Sequence, residues 1–178
     1  MEEIEIPPDA AVAGAFSGCT SLKSIRLPAR MEMIDSCMFA RCTLLEEIEI
    51  PEGVTGIGIE AFENCTNLKR IILPSTLQTI APRAFMGCKS LKKIKLPDGL
   101  REIDDGAFSG CSSLEKTELP DSLTDVVWNA FEGVPSMMGV KFERQRQSVP
   151  DYLMIDIEEE EEFELEAEDE EDGDEYDE

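Results

Sequence analysis

Phenylalanine recurs every 23 residues, at Phe16, Phe39, Phe62, Phe85, Phe108 and Phe131. The positions around it keep the same interval. Cys19, Cys42, Cys65, Cys88 and Cys111 follow three residues later, with Val134 in the sixth slot. Three further on stand Leu22, Leu45, Leu68, Leu91, Leu114 and Met137, and then Ile25, Ile48, Ile71, Ile94, Thr117 and Val140. Leu27, Ile50, Leu73, Leu96, Leu119 and Phe142 come next, and Pro28, Pro51, Pro74, Pro97 and Pro120 close the first five units. A unit this short cannot bury its own apolar face. Stacking on identical neighbours can, and a fixed period in this range marks a solenoid.

Each period converts into one coil. In the LxxIxLP stretch, apolar residues alternate, as Ile25 and Leu27 do, which predicts a short strand with one face inward. Proline ends that strand because it cannot donate to a ladder. The connecting arc holds a second apolar pair, such as Val54/Ile57 and Leu77/Ile80, with room for another short strand. The AFxxC stretch places Gly18 or Asn64 two residues after the ring, which predicts a single helical turn ended by a left-handed residue. The fold class expected is therefore an α/β-type repeat solenoid of about six coils with little regular helix. The sixth unit decays: Val134, Met137 and Phe142-Glu143 replace Cys, Leu and Leu-Pro. A terminal coil meets water on one side, so residues 126–147 are read as a C-terminal cap. Ile4, Ile6 and Pro7 look like the strand of an incomplete first coil.

At this stage the units AFSGCTSLKSIRLPARMEMI, AFENCTNLKRIILPSTLQTI and AFMGCKSLKKIKLPDGLREI are similar to BspA-type leucine-rich repeats, over roughly residues 4–142. The resemblance implies a right-handed leucine-rich-repeat solenoid used for protein binding, with many relatives displayed on surfaces or secreted.

Charge divides the chain into two parts. All 16 Lys and Arg residues fall between Lys23 and Arg146, whereas residues 151–178 carry 18 acidic residues and no basic one. Residues 1–147 are read as the solenoid and 148–178 as an acidic, largely disordered tail. The formal charge of −24 argues against sequence-general nucleic-acid binding, which requires phosphate neutralisation by cations. No apolar run approaches the roughly 20 residues of a membrane span. The first residues, MEEIEIPPDA, show no signal peptide, so the location expected is cytoplasmic, with a nuclear site or a surface-protein fragment as alternatives.

Histidine is absent, which removes the usual neutral-pH base, Ser-His-Asp and Cys-His catalysis, and histidine metal sites. No enzyme, cofactor or metal site is expected. The five cysteines at spacing 23 read as a packing column of small buried side chains rather than a metal ladder, since metal ligands come in tight pairs. Cys37 stands off the pattern and is expected to be exposed. Gly53-Val54-Thr55-Gly56-Ile57-Gly58 lacks the Lys-Ser or Lys-Thr of a phosphate loop.

The function expected is a non-catalytic protein-protein interaction module that uses the outward face of the strands. Its candidate contact residues are Arg26, Lys69, Arg70, Lys92, Lys93, Lys95 and Lys116. Repeats three and four stack Lys69, Arg70, Lys92, Lys93 and Lys95 with no acidic residue among them, an arrangement that repels itself at strand spacing. In the tail, Leu153, Ile155, Ile157 and Phe163 are candidate contacts within an acidic tract that favours basic partners. Two alternatives stand beside this reading: an acidic-tailed histone or basic-protein binder in the nucleus, by analogy of architecture, and a fragment of a BspA-like surface adhesion protein.

Overall fold

The structure is a computed structural model that describes residues 13–115 and 117–137. Within it the 23-residue unit forms one coil, numbered here one to six by Phe16, Phe39, Phe62, Phe85, Phe108 and Phe131. Phe39, Phe62, Phe85 and Phe108 are fully buried, as are Cys42, Cys65, Cys88 and Cys111 and the leucines at 45, 68 and 91. Neighbouring phenylalanine rings stack with centroids 5.0–5.4 Å apart and planes within 13°. Each such contact adds about 0.5–1.5 kcal/mol beyond the area it buries. The core is therefore a set of columns running the length of the stack, one per apolar position of the unit.

Backbone hydrogen bonds join the coils along three lines. On the first, the connecting arcs supply β1 (Met33–Ile34), β3 (Gly56–Ile57), β5 (Thr79–Ile80), β6 (Glu102–Ile103) and β7 (Asp125–Val126). These form one parallel five-stranded sheet, with Ile34, Ile57, Ile80, Ile103 and Val126 in register. On the second, the LxxIxLP stretches supply β2 (Glu47–Glu49) and β4 (Arg70–Ile72), paired in parallel as Glu47–Arg70, Ile48–Ile71 and Glu49–Ile72. From β4 a single bridge, Arg70 to Lys93, continues to repeat four. The longer sheet thus lies in the arc, where the sequence predicts only a subsidiary strand. The LxxIxLP strands are clipped by the following proline, and beyond β4 they place cation against cation.

The third line runs through the phenylalanine turns. The N–H of Phe39 donates to the Ala61 carbonyl (2.8 Å), that of Phe62 to Ala84 (2.8 Å) and that of Phe85 to Ala107 (2.7 Å). Within each turn the cysteine N–H closes a bond to the phenylalanine carbonyl three residues back, as from Cys42 to Phe39 (3.1 Å). The predicted left-handed residue after the ring is present in all six coils: Gly18, Arg41, Asn64, Gly87, Gly110 and Gly133 have φ between 57° and 73°. A second left-handed residue precedes the ring at Gly14, Cys37, Glu60, Arg83 and Gly106. Its occupants include three non-glycine residues, so composition gives no sign of it. Asn129, in the sixth coil, is not left-handed.

The cysteine column does more than fill space. The Cys42 thiol donates to the Phe16 carbonyl (3.1 Å), Cys65 to Phe39 (3.1 Å), Cys88 to Phe62 (3.2 Å) and Cys111 to Phe85 (3.1 Å). Each thiol gives a second partner to a carbonyl that the turn already uses. Cys19 departs from the expected buried ladder and is exposed. Of the sixth unit, Phe131, Val134 and Met137 are buried, the last in a 3-10 turn over Pro135–Met137, whereas Trp128 is 74% exposed. Residues 138–147, the remainder of the expected cap, lie outside the described residues, as do the incomplete coil at Ile4–Pro7 and the tail.

Candidate binding surface

The strand face shows its outward residues to solvent as three columns. Lys23, Glu46, Lys69, Lys92 and Glu115 form one, Ser24, Glu47, Arg70 and Lys93 the next, and Arg26, Glu49, Ile72, Lys95 and Glu118 the third. All are exposed, while Ile25, Ile48, Ile71, Ile94 and Thr117 between them point inward and are buried. The period-two alternation of a strand produces this separation. Ile72 is the one apolar member of the outward columns, 38% exposed.

Stacking at a 23-residue interval decides the electrostatics. The Lys69 Nζ donates to Glu46 Oε2 at 2.8 Å. That hydrogen bond, with the ammonium charge behind it, holds the Glu46 carboxyl below its usual pKa. Lys93 Nζ lies 3.3 Å from Glu115 Oε2. The expectation of five cations free of acids is thereby corrected. The acids that neutralise Lys69 and Lys93 come from the neighbouring coils, so a single repeat does not reveal them. Arg70, Lys92 and Lys95 have no ion-pair partner among the described residues, so three uncompensated positive charges remain in repeats three and four.

Two grooves open on this face. The first, about 710 Å³, is lined by Arg26, Glu47, Glu49, Arg70 and Ile72 over the buried Ile25 and Ile48. The second, about 640 Å³, is lined by Lys93, Lys95, Asp98, Glu115 and Glu118 beside Pro120. Each lies where a basic row meets an acidic row. Groove position depends on how far successive coils splay, and no single repeat carries that signal. Of the contact residues read from the sequence, Arg26, Lys69, Arg70, Lys92, Lys93 and Lys95 share this face. Lys116, Leu153, Ile155, Ile157 and Phe163 lie outside the described residues.

The thiols offer little chemistry. Burial pushes Cys42 up to about 11 and Cys65 up to about 12, and Cys88 is raised by its neighbour Cys111 and by burial. Cys37 is half-buried rather than exposed, because its left-handed backbone turns the side chain toward the next coil. There Glu60 Oε2 lies 3.7 Å from its sulfur. Burial first, then the Glu60 charge, raises its pKa, so it is a poor nucleophile at neutral pH. Among the described residues, no three His, Cys, Asp or Glu side chains cluster as a metal site requires. No helix among them is long and apolar enough to cross a membrane.

The repeat geometry agrees with sequence comparison. The pattern of the BspA type leucine rich repeat region matches six copies, over residues 1–90 and 32–156. The chain belongs to the BspA-type leucine-rich repeat family. Solved structures similar to this BspA-type chain are bacterial. A leucine rich repeat protein of T. pallidum is 29% identical, covering 70% of this chain and 71% of that one, with a TM-score of 0.56. A leucine-rich repeat protein from Eubacterium ventriosum is 30% identical over 75% of this chain and 36% of that one, with a TM-score of 0.64. A leucine rich cell surface protein from Faecalibacterium prausnitzii is 32% identical over 64% of this chain and 31% of that one, with a TM-score of 0.55. The chain thus spans about a third of the length of the last two. No curated protein matches it. The BspA-type assignment gives the chain a leucine-rich repeat solenoid fold and fits a protein-interaction module.

Proposed function

We propose that the chain is a non-catalytic protein-binding module that docks its partner on the strand face of repeats two to five. The observation that carries this reading is the group Arg70, Lys92 and Lys95, exposed in three adjacent columns of repeats three and four, without ion-pair partners among the described residues and flanked by two grooves. Arg70 stands opposite Lys93 in the ladder, and like charges so placed repel, so a bound acidic group offsets the repulsion within this cationic patch. The acidic run at 151–178 is a second element of the same proposal: it attracts basic partners at long range, with Leu153, Ile155, Ile157 and Phe163 as apolar contacts.

The test is a pull-down with the full chain, with the triple variant Arg70→Glu/Lys92→Glu/Lys95→Glu, and with a chain ending at Pro150. A partner bound on the strand face is retained by the full chain and lost by the triple variant. A partner retained by both at equal yield refutes the strand-face reading. A partner lost only on truncation assigns binding to the acidic run.

Similarity to a leucine rich cell surface protein favours a second reading of location, a piece of a surface-displayed protein, over the cytoplasmic one. Fractionation of the cells that make it, followed by immunoblotting, separates the two.

A further inference from the structure

The strand face is banded, and the bands prescribe a partner more narrowly than positive charge alone. After the Lys69–Glu46 and Lys93–Glu115 pairs are set aside, the charges that remain on the described outward residues of repeats two to five fall in order along the stack, next to the basic Lys23 and Arg26 of repeat one. Repeat two presents Glu47 and Glu49, repeats three and four present Arg70, Lys92 and Lys95, and repeat five presents Glu118. A basic centre is therefore bounded by acids on both sides. The pairing Glu47–Arg70 and the bridge Arg70–Lys93 fix these rows in adjacent register. The two grooves lie at the two junctions, one holding Glu47, Glu49 and Arg70, the other Lys95 and Glu118.

From this we infer that the face takes an extended protein segment with a short acidic centre and a basic residue on either side. The inference rests on the strand-face reading above and deepens it. Rows of adjacent strands are about 4.8 Å apart, so the acid rows of repeats two and five are separated by three steps, about 14 Å. An extended chain covers about 3.3–3.6 Å per residue, which sets the flanking basic residues about four to five positions apart. In an extended segment every second side chain shares a face, so a carboxylate midway between the flanking cations meets Arg70, Lys92 and Lys95. The flanking cations enter the grooves beside Glu47/Glu49 and Glu118, and an apolar side chain covers Ile72. A uniform polyanion is rejected, because its ends run onto the acid rows. The acids act against the wrong ligand, and the cations attract the right one.

The test is fluorescence anisotropy with the full chain at low salt, where exposed charges are least screened. Three dye-labelled peptides are compared: Lys-Leu-Asp-Leu-Lys, its charge inverse Asp-Leu-Lys-Leu-Asp, and a hexamer of aspartate, with heparin as a competing polyanion. The first is expected to bind at least about ten-fold tighter than the others. Arg70→Ser/Lys92→Ser/Lys95→Ser is expected to abolish that preference. Glu47→Gln/Glu49→Gln is expected to strengthen aspartate-hexamer and heparin binding while leaving the melting curve unchanged, since both side chains are exposed. Binding of the hexamer or heparin to the parent chain as tightly as the first peptide overturns the proposal, as does the absence of any preference. If the pull-down partner is still lost in the Arg70/Lys92/Lys95 variant while the peptides show no preference, the charge pattern is wrong and the strand-face reading stands.

Discussion

Replacing Cys88 tests what the cysteine column contributes. Its side chain is fully buried, and its thiol donates to the Phe62 carbonyl at 3.2 Å, a carbonyl that already accepts the Cys65 N–H at 3.2 Å. Cys88→Ala removes one heavy atom and one weak bond. The cost expected is about 0.5–1.5 kcal/mol, the range for deleting a methyl-sized group from a packed interior. Cys88→Ser looks more conservative and is expected to cost more. Oxygen sits closer to Cβ than sulfur does, so the hydroxyl falls short of the roughly 2.5–3.0 Å that O–H···O bonding requires. A buried hydroxyl with a stretched bond costs about 1–3 kcal/mol. Thermal unfolding followed by circular dichroism reads the difference, at about 2–4 °C per kcal/mol for a chain of this size. The order expected is parent, then Cys88→Ala, then Cys88→Ser. A serine variant as stable as the parent, with alanine destabilised, would refute the packing argument and make the donated hydrogen bond the reason for the column. Cys19→Ser, at an exposed thiol, should leave the curve unchanged.

Thiol labelling of the folded chain should modify Cys19 first and Cys37 more slowly, and Glu60→Gln should accelerate Cys37 by removing a charge that raises its pKa; an unchanged Cys37 rate would argue that Glu60 does not face it. Stability should fall as pH rises above 9, the ordinary thiol value, because the unfolded chain loses protons there while folded Cys65 holds its proton up to about 12. Urea midpoints at pH 8 and pH 10.5 measure this, and Cys65→Ala should flatten the dependence. Gly58→Ala should destabilise by about 1–3 kcal/mol, the usual cost of overpacking, since its Cβ would lie 2.7–2.9 Å from backbone atoms of Ser36, Ile34 and Asp35; an unchanged melting temperature would mean the coils can slide apart locally. Deleting residues 127–147 removes Phe131 from its stack on Phe108 and should cause aggregation, visible by light scattering; a soluble monomer with an unchanged melt would refute the cap.

The apolar columns were legible because burial acts on every coil alike: Phe39 and Phe85 occupy the same slot for the same reason. Features set between coils were not. That Lys69 belongs to Glu46 and Lys93 to Glu115 depends on contacts 22 or 23 residues apart, which align only once the stacking register is known. The left-handed residue before each ring escaped notice because Cys37, Glu60 and Arg83 carry no compositional mark of it, unlike Gly18 or Gly87 after the ring. Cys19 fits the column by spacing and yet is exposed. Which stretch carries the longer sheet was not legible, because alternation reports which side faces inward, while pairing also depends on the charges that stacking brings together.

The phenylalanine turns have a consequence for the whole stack. Their peptide units do not alternate as those of a strand do. The carbonyls of Ser36, Met38 and Ala40 accept from the coil before, while the N–H groups of Cys37, Phe39 and Arg41 donate to the coil after. Repeated at each turn, this makes strings of hydrogen-bonded peptides that all point one way, as the strings inside an α-helix do. Their dipoles add along the solenoid axis, with the negative end at repeat one and the positive end toward repeat six. Further coils lengthen this dipole without enlarging the charge at its ends. A carboxylate is therefore favoured beside the last turn and disfavoured beside the first, and a lysine the reverse, wherever in a longer array those turns happen to fall.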